Sequence, residues 1–243
     1  MSKYEIGDVW WVRYPFEEIE KEKHRPAIVI DDETIAILSM YITTQNRNIP
    51  YSVQIKNCDH AGLPKDSWAR IDKVVSIDKS RFDRKAGSLD VPDLLMVMQL
   101  YAEITKNISH DFCLLAVQNS EGKFLQIYDS DWKSWLFPYF RSTDNNKASM
   151  DANVQELFGP NSSARYIAKE IHCKYSERDN VYKIYNHKLY KPLNAQIHDF
   201  MNCEEFEYKG TKYKWLSLEE LESDANVLKK NSEVINFVKN NIN

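Results

Sequence analysis

No two of the four cysteines stand close together. Cys58, Cys113, Cys173 and Cys203 form no Cys-x-x-Cys pair, which argues for buried free thiols over a metal site or a disulfide framework. The six histidines are equally dispersed, and no His-x-x-x-His pair offers metal ligands on one helix face. An apolar run of membrane-spanning length is missing, as is a charged-then-apolar pattern at the N-terminus. A cytoplasmic location away from membranes is therefore expected. Excess positive charge is absent too. The formal net charge is −4, with 15 Lys+Arg against 17 Asp+Glu in residues 1–107 and 17 against 19 in the rest. Each half is thus net negative, and any contact with nucleic acid must come from a local patch.

What remains is 243 residues, 43% apolar and 28% charged, the balance of a soluble globular protein with room for two domains. The first half is dense in strand signals. Residues 5–14 are aromatic and β-branched after a Gly-Asp turn, and Pro15 ends them. Arg25-Pro26 leads into the continuous apolar run 27–30, which reads as a strand buried on both faces. Further strands are expected at 34–42, 51–55 and 68–76, with a break over 77–82. Val91-Pro92-Asp93 opens a helix to about residue 104, packing through Leu94, Leu95, Val97, Met98 and Tyr101. Five or more short strands followed by a helix predict a mainly β, SH3-like half-open barrel over 1–107.

This segment resembles the MazF/PemK family of toxin endoribonucleases over residues 5–106. The resemblance is carried by Gly7-Asp8-Val9-Trp10, by Arg25-Pro26 before an aliphatic strand, and by Ile42-Thr43 at the end of the third strand. It extends to Gly62-Leu63-Pro64-Lys65-Asp66-Ser67 and to Ile71-Asp72-Lys73-Val74-Val75-Ser76-Ile77-Asp78-Lys79-Ser80-Arg81. What it implies is a metal-independent, cofactor-free ribonuclease that cuts single-stranded RNA through 2′-hydroxyl attack, leaving a 2′,3′-cyclic phosphate and a 5′-hydroxyl. It also implies a homodimer with an RNA groove at its interface and a cognate antitoxin as partner.

Such chemistry needs in-line positioning, charge neutralisation and proton transfer. Arg25 suits the second need, since a guanidinium presents a planar fork to phosphate and keeps its charge. Its structural alternative is an ion pair with Asp8 or Asp72. Thr43, with Thr44 as substitute, offers a hydroxyl to phosphate, though a plain strand threonine reads the same. His24 could move a proton at neutral pH, but strand neighbours point to opposite faces, so His24 and Arg25 are not expected to serve one site. Of Trp10 and Trp11, one is expected in the core, and Trp11 is the candidate for stacking on a base. Lys79, Arg81, Arg84 and Lys85 form a basic cluster for an RNA backbone, or else a solvated turn. The loop before Arg25 carries Glu17, Glu18, Glu20 and Glu22, which would repel phosphate. That loop favours a second reading, a non-catalytic binding protein that grips a protein partner.

The second half reads as α+β over 110–243. Strands are expected at 111–117 and 123–128 around an Asn119-Ser120-Glu121-Gly122 turn, with helical stretches at 151–158 and 163–174. A strand over 181–189 and a closing helix over 224–240 complete it. The opening hairpin, Trp135-Leu136-Phe137-Pro138 and Tyr213-Lys214-Trp215-Leu216-Ser217-Leu218-Glu219-Glu220-Leu221 resemble a Nudix domain. That resemblance implies a magnesium-binding helix with an Arg-Glu and then a Glu-Glu pair on one face. The best match, Ala168-Lys169-Glu170-Ile171, has Lys169 for the arginine and Cys173-Lys174 for the glutamates, while Tyr139 and Phe140 replace expected glycines. The half is therefore read as degenerate, a brace or a regulatory sensor with a nucleotide as its candidate ligand.

Overall fold

The computed structural model describes residues 3–14, 23–32, 36–45 and 50–242. The acidic loop 17–22 lies outside them. The chain divides into two compact units, one of residues 1–111 with 168–186, the other of 112–167 with 187–243.

The first unit is built on antiparallel strands β1 (Asp8–Tyr14), β2 (Lys23–Asp32), β3 (Ala36–Thr43), β4 (Ser52–Ile55), β5 (Ser67–Asp78) and β6 (Phe82–Ser88). They are ordered β5-β3-β2-β1-β6, and β4 lies on the other side of β5. The break over 77–82 shrinks to one 3-10 turn, Lys79–Arg81, capped by Asp78, which accepts from the Ser80 amide at 2.8 Å. β6 follows where no strand was expected. Among the described residues it pairs with β1 alone, through two register shifts, and its charged Asp83-Arg84-Lys85 stretch is exposed, as befits an edge.

Helix α1 (Val91–Lys106) starts where expected, with Asp90 as N-cap accepting from the Asp93 amide at 3.0 Å. Val97 and Ile104, seven residues apart, are fully buried, and Leu94, Met98 and Tyr101 complete that face. Leu95, expected with them, is 55% exposed. It stands one residue, about 100° of helical rotation, beyond Leu94 and so off the packed stripe. The core beneath α1 takes Val9, Ile28, Met40, Ile42 and Ile71, and a second core collects Tyr4, Trp10, Val12, Ala27, Val29 and Phe82. Trp10 is thus the buried tryptophan, its ring 4.9 Å from Tyr4 and 6.0 Å from Phe82, while Trp11 is half-buried.

The helix expected over 163–174 is instead a strand. Ala164, Ile167, Ala168 and Ile171 recur at helical spacing, but the segment forms β11 (Ser163–Ser176), which turns at a left-handed Asn180 into β12 (Val181–Leu193). Strand pairing overrides the local pattern. Glu170, Ile171 and His172 of β11 lie opposite Val75, Val74 and Lys73 of β5, and Ile171 and Ile184 enter the core beneath α1. The helical face on which the metal-binding resemblance depended is absent from this segment.

The second unit takes β7 (His110–Leu115) from Phe112 onward, with β8 (Phe124–Asp129), β9 (Ser134–Leu136), β10 (Tyr139–Arg141), β13 (Glu205–Tyr208) and β14 (Thr211–Leu216). A four-stranded sheet runs β13-β14-β8-β9, and β10 pairs with β7. Helix α2 (Asn146–Phe158) is capped by Asn145, α3 (Leu218–Ser223) by a Ser217–Glu220 capping box, and α4 (Ala225–Asn241) by Asp224. Of the cysteines, Cys113 is buried, Cys58 and Cys173 are half-buried and Cys203 is exposed, so the expectation of four buried thiols fails at Cys203.

Candidate functional site

A cavity of about 380 Å³ opens in the first unit where β2 begins and β3 ends. One wall is Trp11 of β1, His24, Arg25 and Pro26 of β2, and Ile42, Thr43 and Thr44 at the end of β3. The other is Leu63, Pro64 and Ser67. The register explains how the first wall forms. Ala27 pairs with Tyr41, so the start of β2, which carries Arg25, runs toward the end of β3, which carries Thr43. Residues distant in sequence thus come to border one opening.

The second wall is held by the helix start. The buried Asp93 carboxylate accepts from the Lys56 amide at 3.0 and 3.1 Å and the Asn57 amide at 2.9 Å, and Asn57 donates to Asp90 at 3.0 Å. Gly62 then turns with a left-handed φ of +67° so close to β6 that a Cβ there would lie 2.2 Å from the Ala86 carbonyl oxygen. Only glycine fits, and Leu63-Pro64 is delivered to the cavity.

The Arg25 guanidinium lies over the Tyr41 ring, 5.4 Å from its centroid. The carboxylates named as its structural partners bind other cations. Asp8 takes Lys85 at 2.5 Å, Ser88 Oγ at 2.9 Å and the Glu5 amide at 3.2 Å. Burial pushes the Asp8 carboxyl up, but these partners outweigh it and hold it below the usual range. Asp72 accepts a fork from Arg70, at 2.7 Å from Nε and 2.5 Å from Nη2, and both side chains are buried. Arg70 pairs directly with Tyr41, so this ion pair shares the sheet face of the Arg25-Tyr41 contact. Beside it, burial and then the Asp72 charge push the Cys173 thiol up to about 12, which makes it an inert sulfhydryl.

Thr43 is buried, 7% exposed, and its Oγ1 accepts from the Gln45 amide at 3.1 Å. Its O–H therefore remains a donor for an anion in the cavity. Thr44 is exposed at the rim. His24 and Arg25, expected to diverge, both border the cavity, yet their side chains go to different partners, Arg25 to Tyr41 and His24 to Asp83.

The basic cluster disperses. Arg84 lies over the Trp11 ring, 5.6 Å from its centroid, and so packs on a residue that lines the cavity. Lys85 is committed to Asp8, and Lys79 and Arg81 sit half-buried in the 3-10 turn. Sequence reasoning did not name Arg70-Asp72, Asp83 or the Leu63-Pro64 wall as site elements. The alternation of Arg70 and Asp72 along one strand was the available signal for the first. Among the described residues, no three His, Cys, Asp or Glu side chains converge as metal ligands.

Residues 5–104 match the family described as "PemK-like, MazF-like toxin of type II toxin-antitoxin system". Among solved structures the chain is similar to an endoribonuclease in complex with its cognate antitoxin from a mycobacterial species. The two are 16% identical over 40% of this chain and 90% of that one, with a TM-score of 0.33. It is similar to the Mycobacterium tuberculosis toxin MazF-mt6 at 17% identity, over 40% and 93% of the two chains, with a TM-score of 0.33. MazF from Deinococcus radiodurans gives 19% identity, 42% and 94% coverage and a TM-score of 0.35. A search of curated proteins matches none to this chain. The matched residues 5–104, less than half of a mainly β chain, are similar to the PemK-like, MazF-like toxin family.

Proposed function

We propose that the first unit is a metal-independent endoribonuclease acting as the toxin of a toxin-antitoxin system. Single-stranded RNA is its substrate. The observation that carries this reading is that Arg25 and Thr43, from separate strands, border one cavity that the Gly62 loop closes on the far side. A phosphodiester placed there meets the Arg25 fork and the Thr43 O–H, two donors aimed at the charge that builds up on phosphorus as the 2′-hydroxyl attacks. The Tyr41 ring beneath Arg25 limits its swing, and the buried Arg70-Asp72 pair stiffens the strand that carries Tyr41's partner. Trp11 with Arg84 offers a flat, cationic rim on which a base can stack. A homodimer and a cognate antitoxin complete the reading, and the acidic loop 17–22 stands near the site in sequence as a brake on RNA entry.

For the second unit the proposal is a non-catalytic regulatory module. On α2, the helix that follows Trp135-Leu136-Phe137-Pro138, Asp151 binds Lys147 and the Ala164 amide and Glu156 binds Lys209, so neither carboxylate is held open for a cation.

The test is incubation of the full chain with a long single-stranded RNA in EDTA, beside Arg25→Ala and Thr43→Val. Discrete fragments with 5′-hydroxyl ends from wild type, lost in Arg25→Ala and weakened in Thr43→Val, support the assignment. Cleavage that survives Arg25→Ala would sink it.

A further inference from the structure

Resting on that ribonuclease reading, we propose that His24 and Asp83 are the proton-transfer pair of the site. His24 Nε2 acts as the base toward the ribose 2′-hydroxyl, and Asp83 is its positioning residue. His24 borders the cavity beside Arg25 and Thr43, and its Nδ1 lies 3.4 Å from Asp83 Oδ2. In the tautomer that carries its proton on Nδ1, on the side of this half-exposed carboxylate, the imidazole keeps its lone pair on Nε2, and that is the atom left for a substrate. Catalytic contacts of this kind are commonly long in the free enzyme and tighten around substrate.

The placement of Asp83 has a backbone cause. The β1–β6 register steps from Trp11 opposite Arg84 to Val12 opposite Phe82, so Asp83 is the surplus residue of a β-bulge. In a regular ladder the alternation of β6 would fix its side chain to one face. A bulge re-aims the side chain, and here it brings Asp83 toward His24 across the intervening β1, a span of about two strand spacings or 10 Å. Around the pair, Arg13 stands opposite His24 on β1, but its Nη2 is tied to the Ser80 carbonyl at 2.7 Å. Arg84 lies over Trp11 and Arg25 over Tyr41. Among the described residues Asp83 is therefore the anion recorded against His24, while the neighbouring guanidiniums each have another contact.

The step balances as follows. His24 Nε2 takes the proton of the 2′-hydroxyl, the 2′-oxygen bonds to phosphorus, and the bond from phosphorus to the 5′-oxygen breaks. The departing 5′-oxygen takes a proton from a water molecule, and the imidazolium gives its proton to the hydroxide so formed. The products are a 2′,3′-cyclic phosphate and a 5′-hydroxyl, with the protein unchanged. Arg25 and Thr43 hold the phosphoryl oxygens throughout.

Single-turnover cleavage of a long single-stranded RNA by the full chain in EDTA, across the imidazole titration range, tests this, with RNA affinity measured in parallel by filter binding. Wild-type cleavage should rise with pH and then level. His24→Gln should cut at least about 100-fold more slowly with no rise, while its RNA affinity stays within about threefold. Asp83→Asn should keep the rise with pH and lose about 10-fold at the plateau, with RNA affinity within about threefold of wild type. A His24→Gln rate within about threefold of wild type, or a flat wild-type profile, overturns the pair while the ribonuclease reading stands. A wild type that cuts no RNA at any pH overturns both.

Discussion

Ile171→Ala should destabilise the toxin-like unit, although the residue lies far outside the segment matching that family. Ile171 is fully buried in the core beneath α1, delivered there by the pairing of β11 with Lys73, Val74 and Val75 of β5. Trimming isoleucine to alanine removes about three carbons, or roughly 2.4 kcal/mol of transfer free energy at about 0.8 kcal/mol each. The cavity left behind adds to this, for a total of about 3–4 kcal/mol. That is a large share of a domain's usual margin of about 5–15 kcal/mol. Because two units can unfold separately, amide hydrogen exchange read unit by unit is the proper assay. Protection should fall at residues 73–76 and along α1, including the Lys169 amide, which donates to Ser76 Oγ at 2.9 Å. Lost protection confined to the second unit, or a cost below about 1 kcal/mol, would refute the claim that the 168–186 hairpin completes the first unit's core.

Other perturbations reach the cavity and its supports. Gly62→Ala combines a left-handed backbone with a 2.2 Å approach to Ala86, so it should cost upwards of about 2 kcal/mol in thermal unfolding and weaken RNA cleavage by displacing Leu63-Pro64. Asp93→Ala leaves the Lys56 and Asn57 amides without their acceptor and should cost about 2–3 kcal/mol by urea titration. Arg25→Lys keeps the charge but loses the planar fork, so cleavage should fall by about 10-fold or more while the melting temperature is unchanged. Asp8 has a depressed carboxyl in the folded state, so its stabilising contribution is present above about pH 4 and lost as pH falls through the folded value. Lys85→Met removes its main cation, and circular dichroism against pH should then show acid unfolding beginning at higher pH. An unmoved midpoint would mean that Asp8 carries no such linkage.

Legibility followed the range of the interactions. Strands β1 to β5 and helix α1 are announced by residues within each element: Val9 to Tyr14, the run 27–30, and the Asp90 cap before Val91-Pro92. Among the described residues β6 is an edge strand with one partner, so nothing forces apolar alternation on Asp83-Arg84-Lys85, and the stretch reads as a turn. The 163–176 segment fails in the opposite way. Its alanines and isoleucines satisfy a helical spacing, and only a partner 93 residues away in β5, contacted through Lys169 and Ser76, turns the balance to strand.

The site divides along the same line. Arg25 and Thr43 each sit near a strand end inside a short motif, and both border the cavity. Asp83 was not legible, since its direction depends on a bulge that no local pattern encodes. Strand alternation argued that His24 and Arg25 could not share a site, and within a regular ladder that argument holds. Here both residues border the cavity where β2 begins and β3 ends, while their side chains go to different partners, Arg25 to Tyr41 and His24 to Asp83. A site built from strand ends and a bulge escapes the periodicity that identifies the strands, so its chemistry must be read from register and contacts rather than from alternation.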